Sequence, residues 1–75
     1  SFDQACERVA RAIGLTPREQ EIFALLAKGR NSPYIQEELV ISYNTVRTHV
    51  RHIYEKGGFH TQQELIDRVE GERRG

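Results

Sequence analysis

The sequence lacks the features of a membrane-spanning or secreted chain. Its longest apolar run is far short of the roughly 20 residues needed to cross a bilayer, and no signal peptide is visible. The single cysteine, Cys6, excludes an internal disulfide framework and favours a reducing, cytoplasmic setting. Methionine is absent even at position 1, so we expect these 75 residues to be a piece of a longer protein whose remaining part precedes them.

Motifs for catalysis and for metal binding are also missing. No Gly-rich phosphate loop, nucleophile–base pair or carboxylate dyad occurs, so we expect neither enzyme activity nor a cofactor. His49, His52 and Cys6 together would still leave a closed zinc site one ligand short. We therefore predict no metal, with Cys6 in the core.

The charge of the chain is balanced overall but not along its length. Eleven basic residues face eleven acidic ones, whereas DNA-binding domains are usually basic. Only segment 42–56 has a positive balance, with Arg47, Arg51 and Lys56 against Glu55 alone. This local excess favours a nucleic-acid partner for that segment.

Apolar residues recur at helical spacing throughout, and no stretch alternates as a strand would. The pattern predicts an all-α fold with one small core and five helices, at about 2–13, 17–28, 33–39, 43–56 and 62–70, followed by a frayed tail at 71–75. Thr16, Pro17 and Glu19 form a capping box with proline at the first helical position. Thr61 and Glu64 predict a second capping box.

The third and fourth predicted helices have the spacing of a helix-turn-helix, in which the second helix enters the major groove. That helix places apolar residues on one face: Val46, Val50, Ile53 and Tyr54. Arg47, Thr48 and Arg51 lie on the other, with Asn44 near its start. Arginine can grip guanine with two hydrogen bonds, and threonine can offer its methyl group to thymine. A merely solvated face of a helical bundle would show the same two faces, so this alternative stays open.

Three segments carry a family resemblance: Leu15–Ile22 (LTPREQEI), Leu25–Gly29 (LLAKG) and Thr45–His49 (TVRTH). Together with Ile53 and Lys56 they resemble the LuxR-type (GerE-like) helix-turn-helix domain, the output domain of bacterial transcriptional regulators, without a gap over about residues 15–69. The resemblance implies a four-helix helix-turn-helix bundle over 15–70, to which residues 1–14 would add an N-terminal helix or linker. It also implies double-stranded DNA as the partner and regulation of transcription as the function.

The resemblance further implies roles for individual residues. Base reading falls on Arg47, Thr48 and Arg51. Contacts with the DNA backbone fall on four residues of the same helix and its cap: Ser42, Asn44, Thr45 and Lys56. Homodimerisation on an inverted-repeat site falls on the last helix, at Leu65, Ile66 and Val69. RNA polymerase is a further partner that the family suggests. Two stretches, Pro33–Ile35 and His60–Asp67, are also similar to regulators in which a membrane region precedes this domain, although no membrane contact is expected within these residues.

The chain departs from the family at Gly57 and Phe59, where leucine and valine are usual, and at Gln36, where alanine is usual. Loss of a buried leucine costs about 2–5 kcal/mol, so the sequence predicts a partly filled cavity and a higher melting temperature for Gly57→Leu. Glu19 is expected to pair internally with Arg47 or Arg18.

Two other functions remain as alternatives. Region four of a sigma factor shares the LTPRE opening and a similar reading helix. A helical protein-interaction module without DNA binding is compatible with the zero net charge.

Overall fold

The computed structural model of the protein describes all 75 residues and contains five helices and no strand, which confirms the predicted all-α fold. The helices are α1 (Phe2–Ala12), α2 (Pro17–Ala27), α3 (Ser32–Leu39), α4 (Tyr43–Gly57) and α5 (Gln62–Arg74). None of them combines the length and the apolar character that a membrane span requires.

Side-chain caps determine where most of the helices begin. The Thr16 hydroxyl accepts a hydrogen bond from the Glu19 amide, and the Glu19 carboxylate accepts one from the Thr16 amide, as the capping box predicts. Helix α3 begins one residue before the predicted position because Asn31 caps it, accepting from the Tyr34 amide. The Ser1 hydroxyl caps α1 by accepting from the Gln4 amide, a cap that the sequence analysis had missed.

The start of α5 differs from the expected capping box. Thr61 caps the helix, accepting from the Glu64 amide at 3.1 Å. The Glu64 carboxylate, however, accepts from the His60 amide at 3.0 Å rather than from the amide of Thr61. The prediction of a full box was therefore wrong in its second half, although the helix begins where it was expected.

Helix α2 forms the centre of the bundle, in contact with α1, α4 and α5. Its Ile22 and Phe23 are both 0% exposed. All five helices add apolar side chains to one core, and α3 contributes Ile35 to it. One shared core means that the position of α4, which carries the candidate reading face, depends on packing throughout the chain.

Helix α1 is part of this domain rather than a linker beside it. Ala5, Cys6 and Val9 are buried in the common core, and α1 packs along both α5 and α2. Helix α5 in turn continues to Arg74, so the expected frayed tail at 71–75 was wrong. The guanidinium of Arg8 donates to the carboxylate of Glu72 at 2.9 Å, which joins α1 to the last turns of α5.

The end of α4 holds no cavity at Gly57, contrary to the expectation from the missing leucine. A Cβ added to Gly57 would lie 2.7 Å from both Cδ2 and Cζ of Phe59, and nearer still to Cε2. The Phe59 ring is 8% exposed and packs 6.5 Å, centroid to centroid, from Phe23. Phenylalanine at position 59 therefore fills the space in which a leucine at position 57 would lie.

The turn between α3 and α4 carries local strain. Val40 has φ 53° and ψ 55°, the left-handed conformation, and is 87% exposed. A β-branched residue is disfavoured there because its Cβ crowds the following carbonyl oxygen, at a cost of about 1–2 kcal/mol.

We expect Val40→Asn to raise the free energy of unfolding by about 1 kcal/mol, because asparagine tolerates this conformation and the valine side chain has little contact to lose. Urea denaturation would measure the gain, which corresponds to about 4–8 °C in melting temperature for a domain of this size. Val40→Ala should gain less, because alanine has no polar side chain that can hydrogen-bond locally in the left-handed conformation. A loss of stability in the asparagine variant would show that Val40 packs favourably.

Candidate nucleic-acid interface

The N-terminus of α4 is closed by two hydroxyl side chains. Ser42 Oγ accepts from the Thr45 amide at 3.1 Å and lies 2.9 Å from Thr45 Oγ1. Both residues are exposed. The first amides of the helix, those of Tyr43 and Asn44, have no partner within a helix of this geometry, and the helix dipole adds partial positive charge. This end of α4 can therefore receive a phosphate.

Helix α4 has one buried and one exposed stripe, as the sequence predicts. Val46 and Ile53 are 1% and 0% exposed and attach the helix to the core. The opposite stripe runs along the helix at spacings of four, three and four: Asn44, Thr48, Arg51 and Glu55, with Arg47 at its edge. All five side chains are exposed, and none of the charged ones forms a salt bridge within the chain. Their polar groups are available to a partner.

Lys56 lies outside this stripe and is held by the protein itself. Its Nζ donates to Glu19 Oε1 at 2.7 Å and to the Gly14 carbonyl at 3.3 Å. Glu19 is 3% exposed and is the one charged residue in the buried set. The pair joins the start of α2 to the end of α4, so the ammonium group expected at a phosphate is already bound to a carboxylate.

This arrangement corrects the expected partners of Glu19. Arg18 pairs instead with Glu21 on the same helix, at 3.0 Å, and Arg47 remains on the exposed face of α4. The reason is geometric, because Arg47 occupies the side of α4 that faces away from the core.

A second basic group lies near the same carboxylate. His52 Nδ1 is 3.6 Å from Glu19 Oε2, so a protonated His52 would add to the attraction. Burial acts to raise the pKa of Glu19, but the hydrogen bonds from Lys56 and Thr16 outweigh it and hold that pKa below its ordinary value of 4.5. Glu19 is therefore a carboxylate at neutral pH.

Of the three residues expected at a dimer contact, two lie in the core of this chain and one is partly exposed. Leu65 and Val69 are 0% and 1% exposed within this one chain, because α5 packs its apolar face on α1 and α2. They have almost no surface left for a second subunit, which corrects their assignment to a dimer contact. Ile66 is only partly buried.

The other candidate side chains lie apart from one another. No group of three His, Cys, Asp or Glu residues is arranged to hold a metal ion. Cys6 is 5% exposed in the core, as expected, and burial raises the pKa of its thiol. His49 is partly buried, with Nδ1 enclosed and without a hydrogen-bond partner.

The sequence analysis counted Glu55 only in the charge balance of segment 42–56, and it missed the Arg30–Tyr34 pair. Glu55 falls on the exposed stripe one turn beyond Arg51, a position that the helical spacing already indicated. The Arg30 guanidinium carbon lies 4.4 Å from the centroid of the Tyr34 ring, a cation–π contact at the turn before α3. The sequence feature that could have predicted this contact is the spacing of four residues between Arg30 and Tyr34, on either side of the start of α3.

Comparison with known proteins identifies the family. Residues 14–69 match the family model described as bacterial regulatory proteins, luxR family. HTH-type transcriptional regulators of Mycobacterium bovis and Mycobacterium tuberculosis are each 39% identical over 70 residues, 92% of this chain and 8% of theirs. The regulator MalT of Serratia proteamaculans is 32% identical over 60 residues, 80% of this chain and 7% of its own length. No solved structure matches significantly. The chain thus spans less than a tenth of these relatives, and it belongs to the luxR family of bacterial regulatory proteins.

Proposed function

We propose that this domain binds double-stranded DNA sequence-specifically, with α4 in the major groove, and thereby regulates transcription. The observation that carries the proposal is the exposed stripe of α4, where Arg47, Thr48 and Arg51 have free side chains while Val46 and Ile53 attach the other face to the core. A stripe without internal partners differs from the polar surface of α1, where Arg8 and Arg11 are both in salt bridges.

In this arrangement Arg47 and Arg51 read bases, each with the geometry for guanine O6 and N7, and Thr48 lies between them for a thymine methyl group. The N-terminus of α4, with Ser42, Asn44 and Thr45, faces the DNA backbone. Lys56 supports this interface indirectly, by fixing the end of α4 on Glu19.

The proposed assembly is a homodimer on an inverted-repeat site, with α5 at the contact. Ile66 is the apolar residue of α5 that keeps some exposed surface, and charged neighbours such as Asp67 and Arg68 surround it. A contact of this composition is small and polar, so we expect dimerisation to depend on DNA or on further parts of the protein.

We expect Arg47→Ala and Arg51→Ala each to weaken binding to a selected site by about 5- to 150-fold, since a bidentate arginine–guanine pair contributes about 1–3 kcal/mol of discrimination. The site would first be obtained by selecting bound duplexes from a random pool, and titrations at increasing salt would follow. Each substitution should also relax the base preference at one position of the site.

Arg11→Ala is the control, because it removes an exposed arginine of α1 whose charged partner is Glu7 on the same helix, outside both α4 and the proposed dimer contact. Its effect on affinity should be small. Equal affinities for Arg47→Ala, Arg51→Ala and the unaltered chain would place the interface elsewhere. Absence of binding to any duplex even at low salt would overturn the proposed function and favour a protein-interaction module.

A further inference from the structure

The charge on the proposed DNA-binding face is smaller than the sequence of α4 indicates. Segment 42–56 contains three basic residues and one acidic residue. Lys56, however, is bound to Glu19 at 2.7 Å and is therefore neutralised within the protein. The remaining free charges of α4 are Arg47, Arg51 and Glu55, so that Glu55 cancels one of only two available cations.

Glu55 also lies on the stripe itself rather than beside it. It follows Arg51 by four residues, one helical turn, and Asn44 by eleven, three turns. Its side chain is exposed and has no partner among the salt bridges, even though Arg51 is within the spacing that favours one. The carboxylate is thus directed away from the core, on the same side as the base-reading residues.

The length of α4 decides what Glu55 would face. Eleven residues of α-helix span about 16 Å along the axis, whereas the major groove is about 12 Å wide. An α4 that enters the groove with Asn44 foremost, since the N-terminal residues of recognition helices contact the base edges, would hold the turn of Glu55 at the rim of the groove. The chemical group at that rim is the phosphate of the DNA backbone.

We propose that Glu55 is a negative determinant of DNA affinity: it places a carboxylate against the phosphate backbone and weakens binding to every sequence alike. This inference rests on the proposed function. Since backbone attraction supplies essentially all of non-specific binding, a carboxylate at this position lowers the affinity for unrelated DNA. Stable binding then requires the base contacts of Arg47 and Arg51, while the ratio of the affinities for the selected site and for unrelated DNA stays the same.

The experiment measures affinity for two duplexes, the selected site and a mixed-sequence duplex, between about 50 and 200 mM salt. Glu55→Gln should bind both duplexes at least about threefold more tightly at the low-salt end, where charges are least screened. Glu55→Lys should bind both still more tightly, and its plot of log affinity against log salt should steepen by about 0.9 for the phosphate it gains.

Asp3→Asn is the control, because it removes one negative charge from the exposed surface of α1, outside both α4 and the proposed dimer contact, and Asp3 forms no salt bridge. Melting temperatures of all variants would verify that folding is unchanged. The inference is overturned if Glu55→Gln binds no more tightly than Asp3→Asn. It is equally overturned if Glu55→Gln loses affinity for the selected site alone, since Glu55 would then read a base, such as cytosine.

The two proposals fail in different ways. If Arg47→Ala and Arg51→Ala reduce affinity while Glu55→Gln leaves it unchanged, only the role of Glu55 is wrong. If the unaltered chain and Glu55→Lys bind neither duplex, the proposed function itself fails, and the role of Glu55 fails with it.

Discussion

Glu19→Ala is expected to destabilise the domain by about 3 kcal/mol, a large part of the stability that a domain of this size has. The substitution removes the carboxylate that caps α2 and leaves the Lys56 ammonium without its partner at 2.7 Å. Breaking a buried ion pair costs about 3–5 kcal/mol, and the lower end applies because the Lys56 side chain is 36% exposed and water screens it. Chemical denaturation followed by circular dichroism would measure the loss.

Glu21→Ala is the control for this prediction, because Glu21 forms an exposed salt bridge with Arg18 on the same helix. Its cost should be below about 1 kcal/mol. Glu19→Gln combined with Lys56→Met removes both charges and should recover part of the loss relative to either single variant. Equal costs for Glu19→Ala and Glu21→Ala would show that the Glu19–Lys56 pair contributes no more than a surface contact.

The Glu19 carboxylate also makes the free energy of unfolding depend on pH in the acid range. The pKa of Glu19 in the folded chain lies below its ordinary value of 4.5, so its contribution to stability is complete above that pH. As the pH falls from 4.5 through the lower pKa of the folded state, protonation removes that contribution. We expect the difference in unfolding free energy between the unaltered chain and Glu19→Gln to shrink over this range.

Gly57→Leu is expected to lower the melting temperature, the opposite of what the family pattern indicates. The added side chain would overlap the ring of Phe59, which is buried and in contact with Phe23. Tyr54, whose ring centroid is 6.3 Å from that of Phe59, confines the ring further. Overpacking of this kind costs about 1–3 kcal/mol, and sometimes more where the neighbours cannot move. Thermal unfolding followed by circular dichroism would measure the change.

A double-mutant cycle separates this clash from a general intolerance at position 57. Phe59→Val alone should also destabilise, because it leaves a cavity beside Phe23. Gly57→Leu with Phe59→Val restores the usual family pair, and the two changes together should cost much less than the sum of the single costs. Additive costs would contradict the structural account, since they would mean that the two side chains do not compete for one space.

The division of α4 into a buried and an exposed face could be predicted from the sequence because it depends on local geometry. Helical spacing alone places Arg47 and Arg51 opposite Val46 and Ile53, and burial in the folded chain agrees with that division. The position of Glu55 was available from the same spacing, but its significance was not. Only the pairing of Lys56 with Glu19 shows that Glu55 opposes half of the free positive charge.

The sequence by itself determined the five helices, most of their starts and the two faces of α4, since capping and periodicity act within a few residues. The tertiary structure alone decided three other matters: the partner of Glu19, the burial of Leu65 and Val69, and the filling of the space beside Gly57 by the Phe59 ring. Each depends on which helices pack together and on the volume left between them. Such contacts join residues far apart in the chain, and the periodicity of a single helix contains no information about them.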